Sequence, residues 1–370
     1  MRTSMLCIAA LRPGWRVGVA GAALVAVGLG AALASAALAP LPAPLDRPAI
    51  ALTAPARAAL LGLAAAGSRV VAVGERGTVL LSDDAGATWR QAQSVPVSAT
   101  LVAVQFVTPH TGWAVGHYGV VLRSDDGGEH WTRQLDGHGA AALMLQEAQA
   151  SGDAKALVEA QRAVQEGADK PLLSLHFRNE REGWVVGAFN LALTTRDGGQ
   201  SWQSVSTRLP NPKAAHLYGF DQARDDVLIA GEQGLLMHSS DGGLSFRPVA
   251  TPYAGSFFGV AREADGAWLV AGLRGNVWRS ADQGKTWTAL TGQAPVSITG
   301  VLRDARGQVW LANQAGQLLQ PRPGVDALGL IGTTAAQQPA SILRLDDGSL
   351  LMAGWNGITR VPHEQATTAR

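Results

Sequence analysis

Short apolar runs of four to eight residues, each closed by glycine, aspartate or proline, recur along most of this chain. The clearest stretch is Gly112-Trp-Ala-Val-Gly-His-Tyr-Gly-Val-Val-Leu-Arg-Ser-Asp-Asp-Gly-Gly-Glu-His-Trp131. It reads as a strand, a tight turn after Gly116, a second strand from Gly119 to Arg123, and an Asp-Gly-Gly turn leading to Trp131. Runs of this length, bounded by turn residues, are the pattern of strands buried on both faces.

The first half of the phrase returns at Ala72-Val-Gly74, Val186-Gly187, Ala230-Gly231, Ala271-Gly272, Ala312-Asn313 and Ala353-Gly354. Between corresponding residues the steps are 42, 71, 44, 41, 41 and 41. A fixed period near 41 built of strands marks a radial repeat. The sequence therefore predicts an all-β fold, a seven-bladed β-propeller over residues 58–362. Blade two, for example, is read as strands Leu101–Val107, Gly112–Tyr118, Gly119–Asp125 and His130–Leu135.

The long step is a helical insertion, 136–170, between blades two and three. It contains no repeat and is rich in Ala, Gln and Glu, and Asp153 is placed to cap a helix from Ala154 to Glu166. Blade seven supplies only three strands before the tail, 363–370. Residues 47–52, inside a Pro/Ala-rich linker spanning 37–57, are read as the fourth strand that closes the ring and protects its edge.

Residues 1–36 differ in kind. Arg2, Arg12 and Arg16 precede an uncharged run from Val17 to Leu45, and Ala34-Ser35-Ala36 offers a small-x-small cleavage site. This reads as a secretory signal peptide; the rival is an uncleaved anchor, since Val17 to Ala39 is long enough to span a bilayer. On either reading the repeats are exported, to the periplasm. Without those arginines the formal charge falls from +1 to −2, so no basic field for nucleic acid is left. The single cysteine, Cys7, lies in this leader, too early for a lipid-anchor site. No disulfide, Cys-based metal site or thiol nucleophile is then available to the mature chain.

A second phrase, Ser/Thr-x-Asp-x-Gly-x-Thr/Ser-Trp, occurs five times, with its acid and aromatic at Asp84 and Trp89, Asp126 and Trp131, Asp197 and Trp202, Asp241 and Phe246, and Asp282 and Trp287. Blades six and seven lack it; Gln320-Pro-Arg-Pro-Gly324 is a worn remnant. A short carboxylate in a hairpin accepts N–H bonds from its own turn, and the aromatic packs between sheets. These residues are assigned to folding, not to metal binding or catalysis.

The five-fold pattern resembles the Asp-box (BNR) repeat of sialidases, sortilin-type receptors and some glycoside hydrolases. The longer phrase is similar to the propeller family of photosystem II assembly and stability factors, which includes exported bacterial relatives outside photosynthesis. That resemblance covers residues 58–362. It implies a propeller that helps a membrane complex assemble by holding an immature subunit. The helical insertion and the boxes missing from two blades depart from the pattern.

Enzyme signatures are weak. A sialidase needs an arginine trio and a Tyr–Glu nucleophile, yet Arg123, Arg196 and Arg279 adjoin box turns and the only tyrosines are Tyr118, Tyr218 and Tyr253. Glu75 and Glu232 are the acids left over for a glycosidase pair. Gly284-Lys285-Thr286 lacks the first glycine of a P-loop, and the eight histidines show no metal-type spacing, so no cofactor or metal is expected.

The turns between second and third strands carry residues that do not repeat: Glu75-Arg76, His117-Tyr118, Ala188-Phe189, Glu232-Gln233, Leu273-Arg274, Gln314-Ala315 and Trp355-Asn356. Arg76, His117, Tyr118, Phe189, Arg274 and Trp355 are the partner-binding candidates, being mostly of the arginine and aromatic types that carry interface energy. The insertion is expected on the same face, as a lid or a recognition arm. The leading reading is a monomeric, non-enzymatic module that binds a membrane protein and assists a membrane complex or an export system. The alternative is a glycan-binding or glycan-cleaving propeller.

Overall fold

The computed structural model describes residues 42–292, 294–334 and 338–362. The leader and the tail from 363 onward lie outside the described residues, and with them the signal-peptide and anchor readings. Among the described residues no helix is long and apolar enough to cross a membrane.

Seven antiparallel sheets follow one another along the chain, six of four strands and a last one of three. Each sheet is a plain meander, its strands paired in chain order. Sheet one holds Leu60–Ala66, Arg69–Gly74, Val79–Ser82 and Arg90–Gln91; sheet two holds Leu101–Phe106, Gly112–Gly116, Val121–Ser124 and Thr132–Leu135. Sheets three to seven begin at Leu172, Leu217, Phe257, Ile298 and Pro339. The first strands of successive sheets pack side by side, and that of sheet seven meets that of sheet one, which closes the ring. Propeller geometry follows: stacked sheets hide both faces of their middle strands, and Gly112–Gly116, Gly183–Gly187 and Trp268–Gly272 are buried at every position. First strands depart from the all-apolar expectation, because one side of each faces an axial channel lined by residues such as Leu63, Tyr218, Phe220 and Phe258.

An antiparallel meander puts its turns alternately at two ends, so the ring has two unlike faces. One carries the hairpins between third and fourth strands, where the boxes lie; we call it the box face. The other carries the turns between second and third strands with the links between sheets, and we call it the crown. At the crown the backbones crowd: a Cβ on Gly116 would stand 2.0 Å from the carbonyl oxygen of Thr100. Only glycine fits there.

The expected closing strand at 47–52 is not found. Those residues form no strand; instead they run over sheets one and two, where Ala49 N donates to Val95 O at 3.0 Å and Ile50 N to Arg76 O at 3.3 Å. Leu45 is buried in the core between these sheets, and Arg47 Nε donates to Ser98 Oγ at 2.8 Å. Sheet seven is therefore three-stranded, and its edge strand Gly357–Val361 packs against the turn Pro55–Arg57. Leu52 and Ala58 join Leu343, Leu351 and Ile358 in one apolar cluster. Side chains, not a ladder of hydrogen bonds, cover that edge. The prolines at 44, 48 and 55 explain why, since each removes a donor that a strand would need.

Two helices separate sheets two and three: α1, Gly137–Ser151, and α2, Ala154–Glu166. Both start on an aspartate cap. Asp136 accepts from His138 N and Gly139 N, and Asp153 from Lys155 N and Ala156 N. Leu143 and Met144 of α1 pack on the core of sheets two and three, and Glu147 accepts from Ser204 Oγ and Thr207 Oγ1, both at 2.6 Å. Helix α1 starts at the crown: a Cβ on Gly137 would stand 2.9 Å from Tyr118 O.

Candidate docking face

The boxes are saturated by their own turns. Ser82 Oγ donates to Asp84 Oδ1 at 2.7 Å and accepts from Gly86 N at 2.8 Å, while Thr88 gives Asp84 both its N–H and its hydroxyl. The same set recurs around Asp197, Asp241 and Asp282. In the Asp126 box His130 Nδ1 replaces the hydroxyl at 2.7 Å. These donors hold Asp84, Asp197 and Asp282 down to about 2, and Asp241 and Asp126 below the usual carboxylate range. Trp131 and Trp202 are buried; Trp89, Phe246 and Trp287 are only half-buried. Each aromatic docks on the seam with the preceding sheet: Trp89 between seven and one, Trp131 between one and two, Trp202 between two and three, Phe246 between three and four, and Trp287 between four and five.

Charged ties cross the seams on the same face. Buried Arg262 of sheet five reaches Asp221 and Asp226 of sheet four, and His238 Nε2 shares Asp226 at 2.6 Å. Burial pushes the His238 imidazole below its ordinary value, which favours the neutral ring.

The crown is built differently. Its five turns Glu75–Gly77, His117–Gly119, Ala188–Asn190, Glu232–Gly234 and Leu273–Gly275 hold their middle residues, Arg76, Tyr118, Phe189, Gln233 and Arg274, at φ between 54° and 60°. A left-handed conformation is unfavourable for such side chains. All five of these side chains are at least partly open to solvent. Tyr118, Phe189 and Trp355 are the exposed aromatics of the described chain, 37%, 51% and 57% accessible, and all three stand on the crown. His117 and the arginines Arg76 and Arg274 are exposed beside them, and neither arginine side chain has a hydrogen bond or ion pair among the described residues.

The six candidates do not form one patch of equal character. Phe189 sits in a cluster: its N–H donates to His216 Nδ1 at 3.2 Å, its ring meets the His216 ring edge-on at 4.5 Å, and Lys170 Nζ lies 5.6 Å over it. His216 leads on to Tyr218 and Phe258, which reach the channel mouth. Glu232 accepts from His216 N at 2.9 Å and from the Tyr218 hydroxyl at 3.2 Å. Tyr118 stands instead against the start of α1, and the chain 44–50 lies beside Arg76. Arg274 and Trp355 remain open. His216, Lys170 and Phe258 were not among the candidates; Phe189 and His216 meet across 27 residues of sequence, and no local pattern announces that.

A scan against family models matches the photosynthesis system II assembly factor YCF48 family over residues 53–123 and 153–320, more than half of the chain. The chain belongs to that family. The YCF48 match takes in sheet one and runs from α2 to sheet six, and it leaves out 124–152, which holds α1. The photosystem II assembly lipoprotein Ycf48 of Synechococcus sp. (strain CC9902) is 38% identical over 71 residues, 19% of this chain and 21% of that protein. YCF48 from Cyanidioschyzon merolae has a similar structure, with TM-score 0.60 and 16% identity, over 86% of this chain and 98% of that one. The WD40 β-propeller domain of Doa1 (TM-score 0.60, 13% identity, 85% and 95% covered) and a GH74 enzyme of Niastella koreensis (0.58, 13%, 88% and 55%) share the fold alone.

Proposed function

We propose that this protein is a non-enzymatic assembly factor, which docks a membrane-protein subunit on its crown and assists the building of a membrane complex, of photosynthetic or export type. The observation that carries this reading is the asymmetry of the faces: every exposed aromatic of the described chain lies on the crown. Aromatic and arginine side chains supply most interface energy, and the three rings share their face with Arg76 and Arg274. Membership of the YCF48 family supports a role in assembly. Export and anchoring rest on the leader sequence and on the lipoprotein named among the relatives.

The sialidase form of the glycan alternative needs a Tyr–Glu nucleophile, and Tyr218 and Glu232 are a tyrosine and an acid that the structure joins. Burial and the Glu232 charge push the Tyr218 phenol up to about 12, so at neutral pH it is protonated and serves as a hydrogen-bond donor. An adjacent carboxylate is itself a way to activate a hydroxyl, so the glycan assay below decides between the readings. The test is co-purification from detergent-solubilised membranes of the host. The wild-type protein should retain a subunit of a multi-subunit membrane complex, and the triple variant Tyr118→Ala, Phe189→Ala, Trp355→Ala should lose it. Retention by the triple variant, or hydrolysis of a glycan by the wild type, would defeat the proposal.

A further inference from the structure

Two of the crown turns are fastened to the next sheet in the same way, but by different chemistry. In the turn of sheet five, Arg274 N donates to Ser297 Oγ at 3.1 Å. In the turn of sheet three, Phe189 N donates to His216 Nδ1 at 3.2 Å. Ser297 and His216 hold the same place, each directly before the first strand of its sheet, Ile298–Arg303 in sheet six and Leu217–Ala223 in sheet four. Each also receives the same backbone bond from its own crown turn, Gln314 N to Ser297 O at 3.0 Å and Glu232 N to His216 O at 3.1 Å. Both fastened residues sit at positive φ, 57° at Arg274 and 54° at Phe189. A side-chain-bearing residue is strained there, and the bond helps to keep it in place.

A hydroxyl accepts at any pH, but an imidazole nitrogen accepts only while it carries no proton. The bond from Phe189 therefore requires the neutral ring with its proton on Nε2. The same Nδ1 lies 3.4 Å from Glu232 Oε2. That carboxylate is held in place by His216 N at 2.9 Å and by the Tyr218 hydroxyl at 3.2 Å. The His216 side chain is 28% accessible, so water reaches the ring. A proton taken from water on Nδ1 turns that nitrogen from acceptor to donor. It then opposes the Phe189 N–H and suits the Glu232 carboxylate. Other charges surround the pair. Lys170, whose Nζ lies 5.6 Å over the Phe189 ring, is itself paired with Glu166 and Asp169, and Lys213 is turned to Gln233. Glu147, Asp153, Lys155 and Glu159 of the helical insertion line the cleft beside Phe189. Lys170 opposes a second cation at this place, and Glu232, in direct contact, favours one.

We propose that His216 is a proton-operated latch on the crown. Neutral, it holds the Phe189 turn in its left-handed form; protonated, it exchanges the Phe189 N–H for the Glu232 carboxylate and lets the turn go. Imidazoles change charge between about pH 5 and 8. The exposed ring of Phe189 is thus fixed at the alkaline end of that range and released at the acidic end. The turn of sheet five, fastened by a serine, has no such response. The latch is a property of the free chain and is measured without a partner, so it stands or falls separately from the crown's role in docking.

NMR of the full chain labelled with nitrogen-15 phenylalanine tests it, since the seven phenylalanines give a spectrum simple enough to follow one amide. The protection of the Phe189 amide against solvent exchange, corrected for the intrinsic pH dependence of exchange, should fall about five-fold from about pH 8 to about pH 5, the scale of one lost hydrogen bond. His216→Ser copies Ser297 and should show the same protection at both ends of the range. Glu232→Gln leaves His216 in place and removes the charge that favours the imidazolium, so it should move the midpoint to lower pH, which keeps the test valid if His216→Ser does not fold. Constant protection across the range in the wild type, an equal fall in a folded His216→Ser, or an unmoved midpoint in Glu232→Gln would overturn the latch.

Discussion

The two faces of the ring use the same residue types for opposite ends. On the box face, the box acids and aromatics are turned inward, Asp197 onto Ser201 and Thr195, Trp202 into the seam between sheets two and three. On the crown, Phe189 and Trp355 are turned out, the first held by a left-handed backbone. The repeat explains the difference. Sheets one to five each meet the preceding sheet through a box aromatic, so their seam-side turns converge on one solution. Crown turns need only join two strands, and five of them retain a costly φ at a side chain that faces water. On the proposed function, the box face holds the ring together and the crown does the recognising.

This contrast can be broken in stages. The largest effects belong to the seams. Trp202→Ala should cost about 3–5 kcal/mol, the usual loss for a buried aromatic, measured by denaturant unfolding; a loss below about 1 kcal/mol would mean that the seam does not depend on it. Arg262→Ala, which strands the largely buried carboxylate of Asp221 while the more open Asp226 keeps His238, should cost about 1–3 kcal/mol, with partial recovery when Asp221→Asn is added.

Acid comes next. The box aspartates have folded values below their unfolded value of about 4, with three of them held down to about 2. Their stabilising share is complete above about pH 4 and is lost as pH falls through about 2, so melting temperature should decline across that window. These carboxylates are solvent-screened, and the decline should be shallow. Asp→Asn at Asp84, Asp197 and Asp282 together should flatten it, and an unchanged slope would show that other groups titrate there. The smallest change in stability is expected at the crown: Trp355→Ala should alter it by no more than about 0.5 kcal/mol while weakening capture of the membrane partner.

Much of this was legible in the chain. A step of 42 residues placed sheet two with its strands starting at Leu101 and Gly112, and the Asp153 cap and the span of α2 were readable from local signals. Local patterns failed where the answer is tertiary. Residues 47–52 hold a short apolar run, but Pro48 within them, Pro44 and Pro55 on either side, and the groove over sheets one and two decide their path. The Phe189, His216 and Lys170 cluster joins a turn to the approaches of two sheets, which no spacing rule connects.

The most direct test of the central claim is paired photo-crosslinking in cells, with one probe at the exposed crown residue Trp355 and one at Leu244, equally exposed on the box face. The account predicts that the Trp355 probe forms an adduct with an integral membrane subunit and that the Leu244 probe does not. Adducts of that subunit from Leu244 alone would place docking on the wrong face and contradict it.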